Sequence, residues 1–265
     1  MSGALQLPLG IPFGSSPSFT ELVGATRPEA LPSSLTEPPF PVPHGTTVLG
    51  LKFDGGMLMA GDRRATAGNL IADAKMRKVF AADDYSAIAI AGAAGQAVEM
   101  VKLFQLELEH YEKITGDRLS LEGKANRLAQ MIRGNFPLAM QGLVVVPLFG
   151  GYDHRRNEGR IFYYDATGGR WEEDDYQTMG SGSQPAKNSL KKRWREGLTR
   201  EDALRVAAES LIDASEDDSA TGGPDAVRGI WPVMVIVTAD GASDVPESEV
   251  AAAVEAVLAA RGGAS

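Results

Sequence analysis

The 265-residue sequence contains no cysteine, which excludes a disulfide framework, a thiolate metal site and a cysteine nucleophile together. Histidine is nearly as scarce. His44, His110 and His154 are the only three, and none has a partner at the spacing of a His-Glu-x-x-His zinc site. His110 falls on the polar side of a predicted helix and reads as solvated. Gly180-Ser181-Gly182-Ser183 only superficially resembles a Gly-x-Ser-x-Gly elbow, and a Gly-x-x-x-x-Gly-Lys-Ser/Thr phosphate loop is missing. Long apolar runs are lacking too: Leu143 to Phe149 and Ile230 to Thr238 fall far short of the roughly 20 residues of a membrane helix and read as buried strands. The first cation is Arg27, so the basic start of a secretory signal is absent and a cytoplasmic location is expected. Nor is there an excess of positive charge. With 26 Lys and Arg against 35 Asp and Glu, a formal charge of -9, the chain offers no electrostatic reason to bind nucleic acid or a membrane.

What is present falls into two unlike parts. Residues 1–45 hold nine of the fifteen prolines and only four charges, Glu21, Arg27, Glu29 and Glu37. A stretch such as Pro38-Pro39-Phe40-Pro41-Val42-Pro43 can run neither a helix nor a paired strand, because proline lacks an N–H and fixes φ. This leader is expected to be extended or disordered, either as a plain tail or as a removable propeptide. Residues 46–265 are expected to form one domain, which a hydrophobic content of 43% can supply with a substantial core.

Thr47 to Phe53, the turn Asp54-Gly55-Gly56 and Met57 to Ala60 form a hairpin signal. Lys78 to Ala81 and Ser86 to Ala91 are further strand candidates. Ala97, Val101, Phe104, Leu108 and Tyr111 recur at spacings of four and three, predicting a helix, and a second apolar set runs from Leu121 to Met140 with Pro137 expected to kink or end it. Leu143 to Phe149 and Arg160 to Asp165 predict two strands around a polar turn from Gly150 to Gly159. Thr199 and Asp202 form a capping pattern ahead of another helix. Ile230 to Thr238 predicts a late strand and Ser248 to Arg261 an alanine-rich final helix. Runs of strands separated by runs of helices predict an α+β fold, two packed and mainly antiparallel sheets with helices outside, a four-layer αββα sandwich. The run Lys191 to Arg195 reads as a solvated or subunit-contacting face, and Glu172 to Asp175 as a polar turn edge.

A nucleophile that needs no histidine remains. A threonine at a newly made amino terminus carries its own base, the α-amino group, but has to be released by cleavage. Thr46 sits behind Gly45, where the composition switches from proline-rich to strand-like. By residues alone a Gly-Thr-Thr triplet is a weak signal, since threonine is common at strand starts. Asp62 and Lys78, sixteen residues apart, read by themselves as two surface charges, and Gly92 as a turn glycine.

Several motifs in order change that balance. Gly45-Thr46-Thr47-Val48, then Met59 to Thr66, Lys75 to Val79, Ala91 to Gly95, Met179 to Ser183 and Asp218 to Gly223 resemble the successive motifs of proteasome β subunits. The resemblance covers about Gly45 to Glu255. Glu107 to Lys113 and Ala220 to Asp225 are similar to actinobacterial members. It implies the N-terminal nucleophile hydrolase fold and a threonine endopeptidase of the 20S proteasome core, with residues 1–45 a propeptide cut autocatalytically between Gly45 and Thr46. Thr46 is then the nucleophile, with Asp62 and Lys78 beneath it, Gly92 supplying an oxyanion N–H, and Ser181, Asp218 and Thr221 the polar shell. Thr221 stands where many members carry serine. Thr66, Gly92 and Ala94 match positions that pair with an extended peptide, and Ala65, Met76, Ile90 and Ala94 match the wall of the first specificity pocket, implying a preference for large apolar residues.

No cofactor or metal is implied. The implied partners are proteasome α subunits, further β subunits in seven-membered rings stacked α-β-β-α, a ring-shaped ATPase, and unfolded, often tagged, protein substrates. Two other readings stay open: a non-catalytic ring subunit, which the joint presence of Thr46, Asp62, Lys78, Ser181 and Asp218 argues against, and the simpler bacterial two-ring relative, whose chains usually start near the threonine.

Overall fold

A computed structural model describes residues 45–262; the leader up to His44, expected to be extended or disordered, lies outside the described residues. Strands β1 (Thr47–Phe53) and β2 (Gly56–Gly61) form the expected hairpin, followed by the short β3 (Ala65–Ala67) and β4 (Leu70–Asp73) and then β5 (Val79–Asp83) and β6 (Ser86–Gly92). Helices α1 (Ala94–Thr115), α2 (Leu121–Gly134) and the one-turn α3 (Phe136–Ala139) come next. Strands β7 (Val145–Asp153), β8 (Glu158–Tyr164), β9 (Arg170–Glu173) and β10 (Tyr176–Gly180) lead to helices α4 (Ser183–Arg193) and α5 (Arg200–Asp217). The described chain closes with β11 (Val233–Thr238), β12 (Gly241–Asp244) and α6 (Glu247–Gly262).

The strands make two five-stranded sheets, ordered β10-β1-β2-β11-β12 and β5-β6-β7-β8-β9, with β3 and β4 as a separate hairpin. Every pairing is antiparallel. Central strands are apolar on both faces because both faces are covered, and period-two alternation sorts their side chains between layers. In β2, Met57 and Met59 point into the space between the sheets, joined by Val48, Ala87, Ala89, Leu148, Ile161, Val235 and Val237. Leu58 and Ala60 point the other way, with Leu49 and Leu51, against Ala207, Leu211 and Val254 of α5 and α6. On the far side Ile88, Ile90, Phe149 and Phe162 pack on Phe104 of α1 and Leu128 of α2. The result is the expected αββα sandwich. Among the described residues no helix is long and apolar enough to cross a membrane.

Three local expectations need correction. The apolar set from Leu121 to Met140 is two helices: α2 ends at Gly134, and Pro137 falls in the first turn of α3, where its missing N–H would have no helical acceptor. The supposed turn from Gly150 to Gly159 is largely strand, with only residues 154–157 turning. Gly150 and Gly151 are there because the layers touch. A Cβ on Gly150 would stand 2.7 Å from the Met57 Cε, and one on Gly151 2.6 Å from the Leu121 Cδ1. Glu172, expected at the edge of a polar turn, lies in β9 and accepts from the buried Arg160 at 2.6 Å.

Candidate active site

One end of the sandwich gathers the strand ends that matter. Thr46 immediately precedes β1, and Asp62 follows β2, so adjacent antiparallel strands deliver both to the same edge. Lys78 immediately precedes β5 in the other sheet. The Lys78 Nζ donates to the Asp62 Oδ1 at 2.7 Å, and this pair joins the two sheets with neither side chain exposed. Asp62 is saturated with donors. Its Oδ1 also accepts from the Thr47 amide at 2.8 Å, and its Oδ2 from the amides of Arg64 at 2.9 Å and Gly222 at 2.8 Å.

Lys78 also donates to the carbonyl oxygens of Gly45, at 2.9 Å, and Arg64. Three acceptors without protons of their own require three N–H bonds, so the group is an ammonium. Burial pulls its pKa below the ordinary lysine value, against the opposing charge and hydrogen bond of Asp62. A cation held this way acts by its field and its donors and has no lone pair to serve as a base.

A second cluster forms where β10 runs into α4 and where α5 ends. The Asp218 Oδ2 accepts from the hydroxyls of Ser181 and Thr221, both at 2.6 Å, and its Oδ1 from the Ala220 amide at 3.1 Å. Partial burial pushes the Asp218 carboxyl up, but these donors and the charge of Lys78 outweigh it and hold the pKa below the usual value. The Ser181 amide donates to the Thr46 carbonyl at 2.9 Å, and the Thr46 amide points at the Ser181 Oγ at 3.5 Å.

Thr46 is 6% exposed and its hydroxyl donates to the Gly45 carbonyl at 2.7 Å. That oxygen therefore accepts from both the Thr46 hydroxyl and Lys78. Gly45 has φ +116, a backbone shape that L side chains avoid.

Direct hydrogen bonds thus bring together Gly45, Thr46, Asp62, Lys78, Ser181, Asp218 and Thr221. Gly92 closes β6 at φ +117, where a Cβ would overlap the Val144 carbonyl. Thr66 and Ala65 lie on β3, and Ala94 begins α1. Met76 packs against the core between sheet and α1, and Ile90 sits in that core at 1% exposure, so it could only floor a pocket. Sequence reasoning missed Thr47, whose hydroxyl is buried in the Asp218 cluster, and the amides of Gly182 and Gly222. The glycine-flanked motifs at 180–183 and 218–223 carried that signal.

The description "Proteasome subunit" belongs to a family model that matches residues 42–228, most of the described domain. The chain belongs to the proteasome subunit family. Over 253 residues it is 54% identical to the proteasome subunit beta of Streptomyces griseus subsp. griseus, covering 93% of this chain and 90% of that one. The αββα sandwich of this proteasome subunit is the N-terminal nucleophile hydrolase fold, and its clustered residues all fall within the matched span.

Proposed function

We propose that this chain is the catalytic β subunit of a 20S proteasome core, a threonine-type endopeptidase made as a precursor and activated by hydrolysis between Gly45 and Thr46. The observation that carries it is the environment of Thr46: a hydroxyl against the carbonyl of Gly45, with the buried Lys78 ammonium on the same oxygen. In the uncut chain the Thr46 nitrogen is an amide and cannot be a base. The Thr46 Oγ1 attacks the Gly45 carbonyl carbon; a C–O bond forms, the C–N bond breaks, and the hydroxyl proton ends on the departing nitrogen. Lys78 draws electron density from this carbonyl as it becomes an oxyanion. Water hydrolyses the ester, releasing the propeptide of residues 1–45 and leaving a free amine on residues 46–265.

That amine titrates near about 7.7–8.0 in an unperturbed chain and can take the Thr46 hydroxyl proton, directly or through a water. Lys78 favours this transfer by stabilising the alkoxide and the neutral amine, and Asp62 fixes Lys78. Ser181, oriented by Asp218 and Thr221, holds the amine. The Oγ1 attacks a substrate carbonyl whose oxyanion is met by the Gly92 N–H, the amine proton passes to the leaving nitrogen, and water cleaves the acyl ester. The peptide pairs with Thr66, Gly92 and Ala94 as an added strand, its apolar side chain against Ala65, Met76 and Ala94 with Ile90 below. The chain works in the cytoplasm in rings with other β subunits between rings of α subunits, fed with unfolded, tagged proteins by a ring-shaped ATPase.

The test is intact mass and amino-terminal sequencing of the chain co-expressed with its α subunit, as wild type and as Thr46→Ala. A wild-type chain beginning at Thr46 beside an uncut variant supports the reading. Wild-type assemblies that keep residues 1–45 and have no peptidase activity overturn it.

A further inference from the structure

The residue after the nucleophile belongs to the site. Thr47 is wholly buried and is engaged at every polar atom. Its amide donates to the Asp62 Oδ1 at 2.8 Å and its carbonyl accepts from the Asp62 amide at 3.1 Å. Its Oγ1 accepts from the Gly182 amide at 3.0 Å and lies 2.5 Å from the Thr221 Oγ1.

Counting protons gives this last contact a direction. Thr221 has one hydroxyl proton, and Asp218, an acceptor, takes it at 2.6 Å. The proton between the two threonines is therefore that of Thr47. A single ordered chain results: the Gly182 N–H donates to Thr47, Thr47 to Thr221, and Thr221 to Asp218, which also accepts from Ser181. The pocket is closed around it, because a Cβ on Gly182 would overlap the Thr47 Oγ1 and stand 2.6 Å from the Thr221 Oγ1. The backbone of Thr47 meanwhile grips the carboxylate that holds Lys78. Thr47 is thus hydrogen-bonded to both halves of the site.

The geometry points to Thr47 as a positioning residue for catalysis at Thr46, its hydroxyl fixing the rotamer of Thr221 so that Asp218 and Ser181 stay aligned on the Thr46 nitrogen. This rests on the proposed function of Thr46. Without the Thr47 hydroxyl, the Thr221 hydroxyl loses the donor that orients it and turns away part of the time. Asp218 then loses one of its donors, so it takes up a proton at higher pH.

The experiment compares processed, assembled wild type with Thr47→Val and Thr47→Ser on a small fluorogenic peptide across pH. Valine keeps the shape and removes the hydroxyl; serine keeps the hydroxyl. The expected result for valine is a kcat lower by about 10- to 100-fold, the range of an orienting hydrogen bond. KM should stay within about threefold, with the acid limb of the profile shifted to higher pH. Serine should restore both kcat and the limb. If valine blocks assembly, Thr47→Cys, with its weak S–H donor, is read the same way. An unchanged acid limb with active wild type, or a serine variant no better than valine or cysteine, overturns the role of Thr47 alone. Wild type that is processed yet inactive overturns the function proposed for Thr46 instead.

Discussion

A Cβ on Gly45 would overlap the Oγ1 of Thr66 and stand 3.1 Å from the Cβ of Ala220. The residue preceding Thr46 is thus pressed between the β3 hairpin and the loop after α5, at a φ of +116. Gly45→Ala has to leave that shape or strain it. Backbone strain of about 1–2 kcal/mol slows cleavage roughly tenfold, and the steric overlap adds to this. A time course of intact mass should show the precursor of this variant persisting. The proposed cleavage removes residue 45, so whatever matures should have wild-type kcat. A mature fraction with altered kcat would count against an effect confined to processing.

The Asp62 and Lys78 pair gives a second outcome. Asp62→Asn leaves a buried ammonium without its counter-charge, a loss of about 3–5 kcal/mol by analogy with other buried pairs, and thermal melting should register it. The alkaline limb of activity is more diagnostic. Burial already lowers the pKa of Lys78 while Asp62 raises it, so removing the carboxylate lowers it further. The ammonium is then lost earlier as pH rises, and the alkaline limb should move to lower pH. A limb that stays in place would show that the Lys78 charge is not what activity follows.

Much of this was legible from the residues, and the failures have physical causes. Strands covered on both faces, such as β2 and β11, declare themselves by unbroken apolar runs. The exposed β4 and the edge strand β9, with Leu70, Ile71 and Glu172 facing outwards, carry no such pattern. Gly150 and Gly151 signalled a turn because glycine's commonest use is flexibility, whereas here it makes room between layers. Asp62 and Lys78 could not be paired by spacing, since the contact is made by two sheets meeting. Family resemblance supplied it. From the residues Thr47 reads only as the first residue of a strand, because one hydroxyl on an inward face looks like any other until its neighbours are known.

Arg160, buried in β8, collects Glu122 of α2, Asp153 of β7 and Glu172 of β9. All three carboxyls are held below their usual values. Hydrogen bonds from Arg170 and then Arg160 do so for Glu122, and one from Arg160 for Glu172. For Asp153 burial pushes upward but the Arg155 amide and Arg160 prevail. Carboxyls depressed in the fold stabilise it fully above their unfolded pKa of about 4, and that stability is lost as pH falls through the folded values. Arg160→Met should therefore melt lower than wild type at neutral pH, and the deficit should narrow as pH falls below about 4. A deficit constant across that window would remove Arg160 from the acid response.

Substrate choice is the last outcome, and it follows from the absence of charge among the side chains of the proposed specificity pocket. Ala65, Met76, Ile90 and Ala94 place only apolar side chains at the proposed pocket wall, and burying a large apolar residue there gains about 1.5–3 kcal/mol. A charged residue would be desolvated without a partner. In a panel of fluorogenic peptides differing only at the acyl-side residue, large apolar side chains should exceed both acidic and basic ones by at least about tenfold in kcat/KM. Replacing Ala94 with aspartate should raise the basic substrate relative to the apolar one, because it adds the missing counter-charge. An unaltered ratio in that variant would place the pocket elsewhere, while the chemistry assigned to Thr46 would stand.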